Sequence, residues 1–211
     1  GIKVGTTISR FSSEQPHNNY KPGFTAGVFV NYPISGAFSV QLEPAYFQQG
    51  GDLISVHDYS VFLQDPAPFL LEVKDHKVTY NNIDAPLLVR YDRTIGGLDL
   101  FATLGPSFGF NLNTTASTDV SARSFSSITE LPVYYDYYES NNISSNIKTM
   151  QYGITGGLGF QTAIGTHSLI FDVRYRYSIN DTYPGYSYLG IFQTQGDLKS
   201  NSLYFTLGFG F

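Results

Sequence analysis

Apolar and polar residues alternate with a period of two along most of this chain, and no other feature restricts its fold as tightly. Successive side chains of an extended strand point to opposite faces, so each alternating segment is predicted to be a strand with one greasy and one polar face. The clearest case sets Leu98, Leu100, Ala102, Leu104, Pro106, Phe108 and Phe110 against Asp99, Phe101, Thr103, Gly105, Ser107, Gly109 and Asn111. Three segments before it read the same way. Ile2, Val4, Thr6 and Ile8 oppose Lys3, Gly5, Thr7 and Ser9; Phe24, Ala26, Val28, Val30 and Tyr32 oppose Thr25, Gly27, Phe29 and Asn31; Phe38, Val40, Leu42, Pro44 and Tyr46 oppose Ser39, Gln41, Glu43, Ala45 and Phe47.

Four more complete a set of eight. Ile83, Ala85, Leu87, Val89 and Tyr91 face away from Asp84, Pro86, Leu88 and Arg90. Tyr152, Ile154, Leu158 and Phe160 stand against Gln151, Gly153, Thr155, Gly157, Gly159 and Gln161, with Gly156 interrupting the apolar row. Leu169, Phe171, Val173, Tyr175 and Tyr177 alternate with Asp172, Arg174, Arg176 and Ser178. The last segment carries Leu203, Phe205, Leu207, Phe209 and Phe211 opposite Ser202, Tyr204, Thr206, Gly208 and Gly210. Short turns at 33–36, 92–97 and 164–167 alternate with long polar connections, expected at 12–21, 48–76 and 113–147 and again before the last strand. The expectation is an all-β, eight-stranded antiparallel barrel forming a single domain over residues 1–211.

Alternation alone suits a soluble barrel with a greasy core or a membrane barrel with a greasy exterior, and volume separates the two. An eight-stranded barrel has an interior only wide enough for its own side chains. The Gly, Ser and Thr of the polar face fit that space, whereas the Leu, Ile, Val, Phe and Tyr of the other face would overfill it and instead make a band against hydrocarbon. Segment lengths agree with the 9–11 or so residues that a tilted strand needs to cross a bilayer core. Short turns alternating with long connections match periplasmic turns and extracellular loops, which places both termini on the periplasmic side of a bacterial outer membrane. The mean hydropathy of -0.11 does not oppose this, because only alternate residues meet lipid. Outer-membrane lipid is the one partner this reading requires.

Composition removes other classes. The net charge of -5 and only 12 Lys and Arg residues argue against a nucleic-acid partner. Without cysteine there is no disulfide, thiolate metal site or thiol nucleophile. No apolar run reaches the 18 or so residues of a membrane-spanning helix, and Gly1-Ile2-Lys3 begins directly in strand pattern, as expected of a processed, mature chain.

The chain also resembles the PorT-like small outer-membrane barrels of Bacteroidetes-type bacteria. The resemblance rests on Glu43-Pro44-Ala45-Tyr46 with Gly50, Ala85-Pro86-Leu87-Leu88-Val89-Arg90-Tyr91, Gly105-Pro106-Ser107-Phe108-Gly109, Arg174-Tyr175 and Phe211. It implies the same fold and location. One founding member of that family is linked to protein secretion and gliding machinery, but the family is functionally mixed, and membership alone would not give this chain that role.

Among candidate sites, Lys3, Glu43, Asp84, Arg90, Asp99, Asp172, Arg174 and Arg176 all fall on the predicted inner face. Paired, they plug the lumen; left open to water, they line an ion or proton path. Tyr134, Tyr135, Tyr137 and Tyr138, with Tyr183, Tyr186, Tyr188 and Phe192, crowd two long connections and suit a binding surface or mutual packing on extended strands. Tyr32, Tyr46, Tyr91 and Tyr177 sit near strand ends as an interfacial girdle. His17, His57 and His76 lie in long connections and His167 in a short turn, so no strand holds a histidine beside a nucleophile, and no enzymatic activity is expected. Asp52, His57 and Asp58 match no standard metal spacing, and no cofactor is expected. The two leading functions are a non-enzymatic docking protein with envelope-protein partners and, alternatively, a narrow pore or transport accessory.

Overall fold

The computed structural model describes residues 1–12, 18–53, 59–61, 69–124, 133–180, 187–188, 192–193 and 198–211, and only the backbone at 18, 53, 59–61, 69–75, 122–124, 133–134, 146, 187–188 and 192–193. Eight barrel strands run through the described residues. They are β1 (Ile2–Phe11), β2 (Lys21–Val28 and Val30–Ser35), β3 (Phe38–Leu42 and Ala45–Leu53), β4 (Phe69–Ile95), β5 (Leu98–Ser124), β6 (Met150–Ile164), β7 (His167–Ser178) and β8 (Ser200–Gly210). Every sequential pair is antiparallel, and β1 pairs with β8 from Ile2 opposite Phe209 to Phe11 opposite Ser200. The sheet therefore closes on itself, and a closed sheet has no unpaired strand edge for hydrocarbon to desolvate. β3 breaks where Pro44 has no N–H to give, and the carbonyl of Pro44 instead accepts from Val28 N at 3.1 Å.

Burial is inverted relative to a water-soluble protein. Among the described residues 28 polar side chains are buried against 14 apolar ones, while Leu104, Leu158 and Val30 are more than 60% exposed. The apolar row of each strand faces outward, with Phe24 stacked on Tyr46 at 5.0 Å and Phe38 tilted against Tyr91 at 5.1 Å. Tyr32, Tyr91 and Tyr177 lie on this exposed face, and Tyr46 is half-buried there by its stacking.

The β4–β5 turn puts Gly96 at φ 61° and Gly97 at φ 86°. A side chain in that left-handed region costs about 1–2 kcal/mol, so Gly97→Val is expected to lower unfolding stability by that amount, measured by urea denaturation in micelles.

Two expected connections are much shorter in the structure. The polar stretch expected at 48–76 is strand up to Leu53 and again from Phe69, and the stretch expected at 113–147 is strand up to Ser124. A β-bulge explains the second difference. Asn81 pairs with Asn113 and Asn82 with Asn111, so Leu112 has no opposite number and the alternation changes phase while the strand continues. Beyond the bulge the inward residues are Thr114, Ala116 and Thr118, which carry little polarity contrast to read. β4 and β5 thus run 27 residues each, against 15, 12 and 11 for β6, β7 and β8. At a rise of about 3.3 Å per residue, the hairpin stands some 35 Å past the bulge. A further strand, Val133–Asn142, pairs with β5 from Ser124 to Thr115, and Tyr59–Val61 pairs with β4. Together they form a projecting sheet on the side away from the short turns.

Candidate functional site

The inner wall is assembled from complementary charges. Lys3 Nζ lies 2.7 Å from Glu43 Oε1 and 2.8 Å from Asp172 Oδ2, and Arg174 clamps the same two carboxylates at 2.5 Å and 2.9 Å. Thr206 donates to Asp172 at 2.7 Å, and Gln41 Nε2 donates to Glu43. Two cations on β1 and β7 thereby balance two anions on β3 and β7, drawing strands from opposite walls onto one centre.

A second cluster lies toward the projecting sheet. Arg176 reaches Asp84 at 3.2 Å and donates to Ser107 Oγ, which in turn donates to Asp84 at 2.6 Å. Amides continue the column, with Gln49 and Asn82 both donating to Gln151 Oε1 at 2.6 Å and 3.2 Å and Asn111 donating to Asn82. Toward the short turns, Arg90 holds Asp92 at 2.6 Å, donates to Gln161 at 2.9 Å and lies over the Phe101 ring at 3.8 Å.

Glycines on β5 and β6 leave room for these long side chains. A Cβ at Gly157 would collide with Arg174 Cγ, and one at Gly109 would meet Arg176 Nη2 at 3.3 Å. The sequence pattern of small residues opposite charged ones is therefore a packing pattern: bare wall on two strands, arginines laid across it from the next.

Apolar groups close both ends of the polar column. Phe29, Phe101 and Ile170 seal it toward the short turns, beneath an open vestibule of about 640 Å³ that Arg90 and Gln161 help to line. Phe11, Val78, Tyr80, Ala116, Ile143, Ile147 and Leu198 seal the other end. Ile143 and Ile147 flank a 3-10 turn, Ser144–Asn146, which the bond from Ile143 N to Thr114 O at 2.9 Å holds across the mouth. Between the seals a cavity of about 30 Å³ is bounded by Lys3, Glu43, Asp84, Tyr204 and Thr206, room for no more than about one or two waters.

Seven of the expected inner-face charges are therefore buried together: Lys3, Glu43, Asp84, Arg90, Asp172, Arg174 and Arg176. Asp99 is not with them. It sits half-buried at the β4–β5 turn, where Thr94 Oγ1 donates to it at 2.6 Å, and Asp92 takes the place beside Arg90. Reading 92–97 as a turn hid Asp92, although it is two residues beyond Arg90 and so shares its face. The outer seal was hidden in the same way: Phe11 follows Ser9 in phase, and Val78 and Tyr80 precede Asn82 and Asp84 in phase.

Of the loop aromatics, Tyr135, Tyr137 and Tyr138 are 55–65% exposed on the strand Val133–Asn142. The side chain of Tyr134 and the whole of Tyr183 and Tyr186 lie outside the described residues; Tyr188 contributes its backbone to a two-residue ladder opposite Phe192. His17, His57 and Asp58 also lie outside them. His76 is strand rather than connection, buried with Nδ1 2.8 Å from Thr118 Oγ1. Among the described residues no three His, Asp or Glu side chains cluster as a metal site.

Three solved outer-membrane proteins are similar in architecture. The attachment invasion locus protein Ail of Yersinia pestis shares 16% identity over 100% of this chain and 96% of its own, with a TM-score of 0.40. Neisserial surface protein A shares 13% over 99% and 94%, with a TM-score of 0.39. A major outer membrane protein from Thermus thermophilus shares 11% over 99% of each, with a TM-score of 0.41. No curated protein matches the sequence. The family model described as an outer membrane protein beta-barrel domain matches residues 1–183, and with its closed sheet, greasy exterior and ion-paired interior this chain belongs to that family of bacterial outer-membrane barrels.

Proposed function

We propose that the protein is a non-conducting, non-enzymatic barrel that serves as a docking or accessory subunit of an envelope complex, with both termini and the short turns in the periplasm and the projecting sheet outside the cell. The observation that carries this reading is the filled lumen: matched charges along its length and an apolar seal at each end. A continuous water path would need those groups separated, which costs more than a surface ion pair because each charge would lose its partner in a low-dielectric site. What remains for interaction is the outside, above all the projecting sheet. The resemblance to PorT-like barrels supports a secretion-related complex as the setting.

Planar-bilayer recording tests the closed lumen against the pore reading. The expected trace is silent, and steady unitary openings would overturn the proposal in favour of a narrow pore. Docking is tested by affinity purification from native membranes of the full chain and of a variant in which 133–142 is replaced by a Gly-Ser linker. A stoichiometric envelope protein that the full chain retains and the variant loses is expected; equal recovery with both would remove the sheet from the interface. Orientation is read from whole cells carrying Tyr137→Cys or Ala37→Cys, since the chain has no cysteine of its own. A membrane-impermeant maleimide is expected to label the first and spare the second.

A further inference from the structure

Two neighbouring rows of the greasy outer wall end in cations. The outward row of β1 runs through Ile2, Val4, Thr6 and Ile8 and finishes at Arg10, which is exposed. On β8, Leu203 stands opposite Ile8, and the outward row continues past it through Asn201 to Lys199. Lys199 lies between buried Leu198 and Ser200, so alternation turns it outward. The bond from Ser12 N to Lys199 O at 2.7 Å sets it across from Ser12. Arg10 and Lys199 are therefore diagonal neighbours on one face, a spacing that long side chains span.

Tyr20 adjoins them at the start of β2. It is 61% exposed, and the Arg10 guanidinium lies over its ring at 5.2 Å from the centroid. A guanidinium held on an aromatic face keeps the N–H donors at its edge for another acceptor. Inside the barrel Lys3, Arg90, Arg174 and Arg176 each hold a carboxylate. Among the described residues Arg10 and Lys199 hold none, and the outward rows of β1, β2 and β8 contain no Asp or Glu to compete for them.

Position then selects the ligand. The cations stand directly above rows that face hydrocarbon, at the end of the barrel away from the short turns. A soluble anion has no use for that wall. An acyl lipid does: its chains lie along Ile8 and Leu203 while its headgroup reaches the height of Arg10, where cations bordering the hydrocarbon attract anionic headgroups. A zwitterionic headgroup brings its own cation to its phosphate, so a phosphate monoester on a sugar is the better match. The arginine fork takes two of its oxygens and the lysine ammonium a third.

Resting on the orientation proposed above, we infer that Arg10, Lys199 and Tyr20 seat a phosphorylated glycolipid of the outer leaflet against the β8–β1–β2 wall.

Native mass spectrometry of the full chain released from uncharged micelles tests this with two probes, bisphosphorylated lipid A and the same lipid stripped of its phosphates. The native chain is expected to retain the phosphorylated probe at least tenfold better. Arg10→Gln with Lys199→Gln is expected to abolish that preference, and the charge-preserving pair Arg10→Lys with Lys199→Arg to keep most of it. Exposed cations elsewhere give the control, Arg93→Gln with Lys148→Gln, which is expected to change nothing. Equal retention of both probes by the native chain, an equal loss in the control pair, or displacement of the lipid by inorganic phosphate would overturn the inference. Micelles impose no sidedness, so this assay reads the seat itself, while the maleimide labelling reads orientation separately. Labelling at Ala37→Cys alone would move the seat to the inner leaflet and overturn the outer-leaflet assignment.

Discussion

Arg174→Met is expected to destabilise the folded barrel by about 3–5 kcal/mol, the cost of leaving buried charge without its partner. Arg174 is buried and binds Glu43 through both terminal nitrogens and Asp172 through one. Its removal leaves two carboxylates sharing Lys3. Equilibrium unfolding in micelles, followed by loss of heat-modifiable migration on gels, measures the change. Adding Glu43→Met in the same chain is expected to recover part of the loss, since Lys3 and Asp172 then form a matched pair. A double-mutant cycle would return a coupling of about 1–3 kcal/mol. A loss below about 1 kcal/mol for Arg174→Met would mean that water reaches the site and replaces the guanidinium, contrary to the seals at Phe29 and Phe11.

Leu104→Arg is the complementary experiment on the outer wall. Leu104 is 63% exposed near the middle of the outward row from Leu98 to Leu112. In water an exposed position of this kind tolerates arginine within about 0.5 kcal/mol. At the bilayer midplane the same change costs about 2–4 kcal/mol on a barrel's lipid face. Folding into phosphatidylcholine vesicles, titrated with urea, is expected to show the larger value. Tyr135→Arg, at an equally exposed place on the projecting sheet, is expected to show the smaller one. Equal effects at the two positions would remove the lipid from around Leu104.

How much of this was readable without coordinates depended on contrast between neighbours. In the membrane zone the contrast is forced, because one row must satisfy hydrocarbon and the next must fit a narrow, ion-paired lumen. Leu100 beside Phe101 is the exception that shows the rule's limit: the inner face also takes aromatics, and Phe29, Phe101 and Ile170 serve there as a seal. Past the bulge at Leu112 both faces of β5 are small or polar, so pattern reading loses a strand that backbone pairing keeps. The same weakness hid Val133–Asn142, whose two faces are both exposed and whose tyrosines therefore looked like loop residues. Within the charged cluster, face assignment found Lys3, Glu43, Asp172 and Arg174 but not who pairs with whom. That depends on register around the barrel, as with Arg174 opposite Gly157 on one side and Tyr204 on the other.

The seam between β1 and β8 has a consequence for assembly. Ile2 must meet Phe209 across almost the entire chain length. Until it does, two ribbons of unsatisfied peptide groups would lie open to oil, at several kcal/mol for each group. A partly inserted intermediate with an open seam is thus too costly to accumulate in the bilayer core. Insertion and closure of this seam are therefore expected to proceed together.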